Sequence, residues 1–225
     1  MISILVSKFD IVYNQIKKEL SKIITPNMKI AIIPWAFPNE INSTILEQEY
    51  FPVNGRRYNK YMIGLKELGI KDSNVYICNC YKDTTEKLKK IIKESDLIII
   101  PGGNPEMLYK KIVHDAGILE DLQKYKGIII GESAGCELHL KKYFITKENN
   151  YYGYFAYYDG LDIIDNPFYM DVHTRNNDEY KKQLHEVANS TKKQVYAIYD
   201  DGAIFYNRQS KDLTIHGQVE IIKPQ

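Results

Sequence analysis

Through the first 130 residues, short unbroken apolar runs alternate with segments of helical period, and this constrains the fold more than any other feature. ISILV (2–6), KIAIIPW (29–35, ending at Pro34), NVYIC (74–78), DLIIIPGG (96–103) and KGIII (126–130) have strand length and β-branched character. Between them, Phe9 to Ile24 places apolar residues at helical spacing. Tyr58 to Leu68 does the same and is closed by Gly69. Thr84 to Lys93 reads as a helix with Thr85 as a candidate cap, and Pro105 to His114 as one with proline in its first position. Strands that are continuously apolar are buried on both faces, so the pattern predicts an α/β fold: a doubly wound, mostly parallel sheet with helices on both sides. In such sheets ligands bind beyond the carboxyl ends of the strands.

After residue 140 the character changes. Residues 143–173, rich in Tyr, Gly, Asn and Asp, read as hairpin and loop, and Asp178 to Asn189 as a helix. QVYAIYDDGAIFYN (194–207) reads as two strand pieces around a hairpin-type turn at Asp200-Asp201-Gly202, and DLTIHGQVEII (212–222) as a closing strand pair. The fold is therefore expected to carry C-terminal β-hairpin additions. Neither repeat nor linker is visible, and residues 1–225 are expected to form one domain.

Chemistry concentrates at GIIIGESAGCELHL (127–140). A strand running into Gly131-Glu132-Ser133-Ala134-Gly135 and then a helix-prone stretch is the layout of a nucleophile elbow, where the serine sits on a sharp turn with its hydroxyl exposed. The helix behind the turn supplies free N–H groups suited to developing negative charge. Candidate oxyanion donors are the N–H of Ala134, directly after the serine, and that of Gly103, in the Pro-Gly-Gly-Asn loop at the end of the preceding strand. That loop lacks the G-x-G-x-x-G pattern and the lysine of nucleotide-binding loops. A serine nucleophile needs a base. His114 and His185 fall within helical segments, His139 is six residues past Ser133 and expected to face away, and His216 lies in the terminal strand pair. His173, in FYMDVHTRNN, opens into a polar loop and is the best-placed base.

Composition narrows the alternatives. A net charge of +1 offers no bulk electrostatics for nucleic acid or a membrane surface. No run is long and apolar enough for a membrane span. The N-terminal MISILVS is short and lacks a basic lead, so a cytoplasmic location is expected. Cys78 and Cys80 share one face of a strand but lack a second pair for zinc. With Cys136 they read as reduced, buried thiols, and no metal or organic cofactor is expected. The tyrosines between Tyr151 and Tyr158 are too clustered to be all core and could line a pocket.

IIIPGGNPEML (98–108), IIIGESAGCEL (128–138), YDGLDIID (158–165) with DVHT (171–174), and AIYDDGAIF (197–205) together resemble the peptidase E (α-aspartyl dipeptidase) and cyanophycinase family. These serine hydrolases share a class I glutamine amidotransferase-like fold, and the resemblance covers the chain beyond about residue 70. It implies Ser133 as nucleophile, His173 as base, and Gly103 and Ala134 as the oxyanion hole. It implies Asp201 as the third member, with Glu148 in ITKEN as the alternative acid. Asp200 would then only hold the turn by an Asx-type hydrogen bond. Asn104, Glu132 and Arg175 are candidate substrate contacts. The helix NDEYKKQLHE after His173 carries no arginine where aspartyl dipeptidases bind the substrate's acidic side chain, although Arg175 stands two residues past the base. The resemblance implies hydrolysis of a small peptide or peptide-like amide through an acyl-enzyme. An amidotransferase-like non-peptidase, or a silent small-molecule-binding protein of the same fold, are the competing expectations. Oligomeric state is not legible.

Overall fold

The computed structural model describes residues 1–147 and 153–225. The first part of the chain alternates strand and helix: β1 (Ile2–Val6), α1 (Phe9–Ile23), β2 (Ile30–Ile32), α2 (Ser43–Ile45), α3 (Arg56–Glu67), β3 (Val75–Ile77), α4 (Thr85–Glu94), β4 (Leu97–Ile100), α5 (Pro105–Lys110), α6 (Leu119–Lys124), β5 (Ile128–Glu132) and α7 (Ala134–Glu137). Single π-helical turns, Leu46–Tyr50 and Lys111–Asp115, extend α2 and α5. The second part runs β6 (Lys142–Ile145), β7 (Ala156–Asp159), β8 (Tyr169–Val172), α8 (Asp178–Thr191), β9 (Val195–Ile198), β10 (Ala203–Asn207), β11 (Leu213–His216) and β12 (Val219–Ile222).

The local reasons are ordinary ones. α1 buries Phe9, Val12, Tyr13, Ile16 and Leu20, an apolar stripe spaced by three and four residues. α4 is capped by Thr84, whose hydroxyl accepts from Lys87 N–H at 3.3 Å, rather than by Thr85. α5 is capped by Asn104, with Pro105 at the position where a missing N–H costs nothing.

Seven strands form the main sheet in the order β11-β10-β1-β5-β4-β2-β3. β1, β5, β4, β2 and β3 are parallel, as the alternation predicts, and β10 and β11 add antiparallel to one side. A three-stranded sheet, β12-β9-β8, and the β6–β7 hairpin complete the fold. The C-terminal hairpin exists, but it is β10–β11. The expected pairings within 194–207 and within 212–222 are not made: β9 and β12 pair with each other, while β10 and β11 join the main sheet. Asp200-Asp201-Gly202 still turns, with Gly202 N–H on Tyr199 O at 2.9 Å, but it carries the chain from one sheet to the other.

The buried apolar residues form two clusters. Ile4 and Val6 of β1 belong to the larger, which also takes in α1, α3 and α4; Leu5 belongs to the smaller, with Leu184 and Val187 of α8 and Ile198 of β9. The alternation along one strand thus connects both layers. Among the described residues no helix is long and apolar enough to cross a membrane.

Candidate active site

The carboxyl ends of the parallel strands β1, β4 and β5 converge, and those of β8 and β9 meet them from the second sheet. Ser133 follows β5 directly. Its backbone takes φ 51° and ψ −117°, a conformation that non-glycine residues rarely adopt. The surroundings enforce it. Ser133 N–H donates to Val6 O at 2.9 Å, and a Cβ on Gly135 would lie 2.0 Å from Ile100 O. A Cβ on Gly131 would lie 2.5 Å from the ring of His139, which packs under the turn. Burial lowers the His139 pKa to about 3, so the ring is neutral and its Nδ1–H donates to Gly135 O at 2.6 Å. His139 therefore faces the underside of the elbow and not the serine hydroxyl.

His173 follows β8 directly, also in the left-handed region at φ 56°. Its N–H donates to Ser7 Oγ at 3.0 Å, and Ser7 Oγ–H donates to Ile198 O at 2.7 Å, which ties the end of β1 to β8 and β9 of the second sheet. The ring lies between two partners. Nε2 is 2.9 Å from Ser133 Oγ, and Nδ1 is 2.7 Å from Asp200 Oδ1. The carboxylate at the histidine is thus Asp200, not Asp201. Asp201 faces the other way and accepts from Gln15 Nε2 at 3.3 Å. In a turn, neighbouring side chains diverge, and the crossover from β9 to β10 turns the first aspartate toward β8. Glu148, the alternative acid, lies outside the described residues.

Partial burial pushes the Asp200 carboxyl up, but hydrogen bonds from His173 and from Lys8 outweigh it and hold the group below its ordinary value. Lys8 Nζ lies 2.7 Å from Asp200 Oδ2. Three consecutive residues therefore each hold one of the three groups: Val6 the serine, Ser7 the histidine, Lys8 the aspartate. Their roles were not legible in sequence, because nothing local to 6–8 marks them.

Glu132, next to the serine, is 2% exposed and fully engaged. Oε1 accepts from Phe9 N–H at 2.9 Å and from Lys60 Nζ at 2.6 Å, and Oε2 accepts from Tyr61 Oη–H. Burial first, then the Glu132 carboxylate, drives the Tyr61 pKa far up, so the phenol stays a donor. The glutamate links the elbow to α1 and α3.

Ser133, His173, Glu132, Gly102 and Gly103 line a cavity of about 200 Å³, together with Ser7, Lys8, Tyr50, Arg57, Lys60 and Tyr61. Gly103 takes φ 144°, and a Cβ there would lie 2.1 Å from Ala36 O, while a Cβ on Gly102 would lie 2.6 Å from Ser133 Cβ, so the loop approaches the serine only as glycine. No backbone carbonyl accepts from the N–H of Gly103 or Ala134 among the described residues. Three sequence candidates stand apart from the cavity lining. The Asn104 side chain is taken up in capping α5, accepting from Met107 N–H at 3.0 Å. Arg175 is exposed and is not among the lining residues. Tyr154, Tyr157 and Tyr158 lie elsewhere; Tyr151 and Tyr152 fall outside the described residues. Conversely, Tyr50, Arg57, Lys60 and Tyr61 line the site unannounced, since only the packing of α3 and of the Leu46–Tyr50 turn over the sheet end brings them there.

Cys78 and Cys136 are buried and Cys80 is half-buried. Burial raises all three thiols, Cys80 to about 11. No group of three or more His, Cys, Asp or Glu among the described residues is placed to hold a metal ion.

Comparison with known proteins bears on this geometry. The model of peptidase family S51 matches residues 13–214. No curated protein sequence matches the chain. Two similar solved structures are a candidate peptidase E protein from Listeria monocytogenes EGD-e and a peptidase from an acI-B1 Actinobacterium. The first is 21% identical with TM-score 0.66, covering 95% of this chain and 96% of that one. The second is 19% identical with TM-score 0.67, covering 100% and 91%. At these identities the likeness extends to the fold.

Proposed function

The chain belongs to peptidase family S51, a family of serine peptidases of the peptidase E type, and from that premise we propose that it hydrolyses short peptides through Ser133, His173 and Asp200. The observation that carries the reading is the continuous chain of hydrogen bonds, Ser133 Oγ to His173 Nε2 at 2.9 Å and His173 Nδ1 to Asp200 at 2.7 Å. In this reading His173 takes the Oγ proton as Ser133 attacks the scissile carbonyl. The N–H groups of Gly103 and Ala134 stabilise the oxyanion. His173 then gives its proton to the departing amine, and the same base activates the water that resolves the acyl-enzyme. Asp200 fixes the tautomer with Nδ1–H toward the carboxylate and stabilises the imidazolium without taking the proton. Its lowered pKa suits that role, because it favours the ionised carboxylate that holds the Nδ1–H.

The test is hydrolysis of a panel of dipeptides and short peptides, Asp-X, isoAsp-X and neutral, by wild type and Ser133→Ala. Turnover by the wild type that falls by on the order of 10⁴-fold or more in Ser133→Ala supports the reading. Turnover that survives the substitution refutes it.

A further inference from the structure

The cavity at Ser133 opens on one side into a larger cleft of about 840 Å³. The two share Lys8, Tyr50, Arg57 and Lys60. Of the three cations at this junction, two are already committed. Lys8 is paired with Asp200 at 2.7 Å and Lys60 with Glu132 at 2.6 Å. Arg57 has no carboxylate partner among the described residues. Its guanidinium lies over the Tyr50 ring, 4.0 Å from the centroid, and Nη1 donates to Tyr50 O at 3.3 Å. Contact with the ring restrains the guanidinium, and one carbonyl uses only one of its five donors. An arginine held over a ring at a cavity junction, with no carboxylate within 4 Å among the described residues, is built to receive a carboxylate through two parallel hydrogen bonds.

The position of the cleft says which carboxylate. In acyl transfer the departing amine takes its proton from the histidine, so the departing segment lies on the histidine side of the carbonyl, away from the oxyanion donors. The larger cleft is lined by neither the Gly102–Gly103 loop nor Ser133 and His173 themselves, but it includes Lys8, which pairs with Asp200 at 2.7 Å. Through Lys8 it adjoins the aspartate–histidine side of the cavity, the side on which the departing segment leaves. We propose that Arg57 binds the free α-carboxylate of the departing segment, so that the enzyme favours scissile bonds close to a peptide's carboxyl terminus. The proposal rests on the Ser133–His173 reading above. It puts the anion-binding arginine on α3 rather than on the loop after β8 that carries Arg175.

The experiment compares each peptide with its C-terminally amidated twin. In the wild type, kcat/KM should favour the free acid by about tenfold, the discount from a fully buried pair reflecting the exposure of Arg57. Arg57→Ala should bring the ratio to about one, chiefly by raising KM for the free acid. Arg57→Lys should restore part of the preference, since a point charge replaces the fork. Arg175→Ala should keep the wild-type ratio. The same peptide pairs titrated calorimetrically into Ser133→Ala, with and without Arg57→Ala, read the carboxylate preference without turnover. A preference in binding that vanishes with Arg57, in a protein that hydrolyses none of the peptides, upholds the arginine's role and overturns the catalytic reading instead. Equal treatment of acid and amide by the wild type overturns the proposal. So does a preference that follows an acidic side chain on the acyl residue and ignores the terminal carboxylate.

Discussion

The two halves of the site are held by different physics. The elbow is fixed mainly by close packing at its glycines, Gly135 against Ile100 O and Gly131 over the His139 ring, with one backbone hydrogen bond from Ser133 N–H to Val6 O. The histidine and aspartate are fixed by directional polar bonds across sheets: Ser7 to His173 and Ile198, Lys8 to Asp200. Below His173, Asp171 is 4% exposed and accepts from Thr174 Oγ1 at 2.6 Å and Tyr180 Oη at 2.7 Å. A site half steric and half polar should respond to volume on one side, and to hydrogen bonding and pH on the other.

The largest expected effect is on the polar side. Asp200→Asn should lower kcat by about 10⁴-fold through the wrong histidine tautomer, while Asp201→Asn should stay within about twofold of wild type. A reversed order would undo the assignment of the acid. On the steric side, Gly135→Ala should cost about 3 kcal/mol in urea unfolding, because the intruded atom is a strand carbonyl that cannot yield. A neutral result there would mean the elbow adapts and the contrast is false. Ser7→Ala leaves the His173 N–H and the Ile198 carbonyl without their shared partner and should cost about 1–3 kcal/mol, with KM less affected than kcat. The smallest effect sharpens the comparison most. Burial raises the Asp171 pKa from 3.8 to about 6, against the lowering by Thr174 and Tyr180. The folded protein then holds more protons than the unfolded one between about pH 4 and pH 6, so this group makes stability fall as pH rises through that window. Asp171→Asn should remove that fall, a slope change of at most about 1.4 kcal/mol per pH unit by denaturation at stepped pH. Gly135→Ala should leave the slope unchanged.

What the sequence disclosed follows the same division. The parallel strands and the longer helices up to the elbow were legible, because apolar runs and helical period are local signals and parallel strands announce themselves by being apolar throughout; the short α2 and α6 were not. Ser133 carried its own motif. His173 stood out because a polar loop follows a short strand. The choice between Asp200 and Asp201 was not legible: it depends on β9 and β10 belonging to different sheets, which alternation along 194–207 cannot distinguish from a hairpin. Arg57 and Lys60 were invisible for a similar reason. Their chemistry comes from where α3 packs, over 65 residues away in sequence from the serine they surround.

The run Val6-Ser7-Lys8 carries a consequence for fragments and fusions. Each residue secures a different member of the Ser133–His173–Asp200 chain, and β1 lies between β10 and β5 in the middle of the sheet. A truncated product starting at residue 9 would keep every motif by which a gene-level survey judges such a sequence competent. It would lack the strand that all three groups are anchored to. Competence here is stored far from the residues that advertise it, and an intact signature is compatible with an unassembled site.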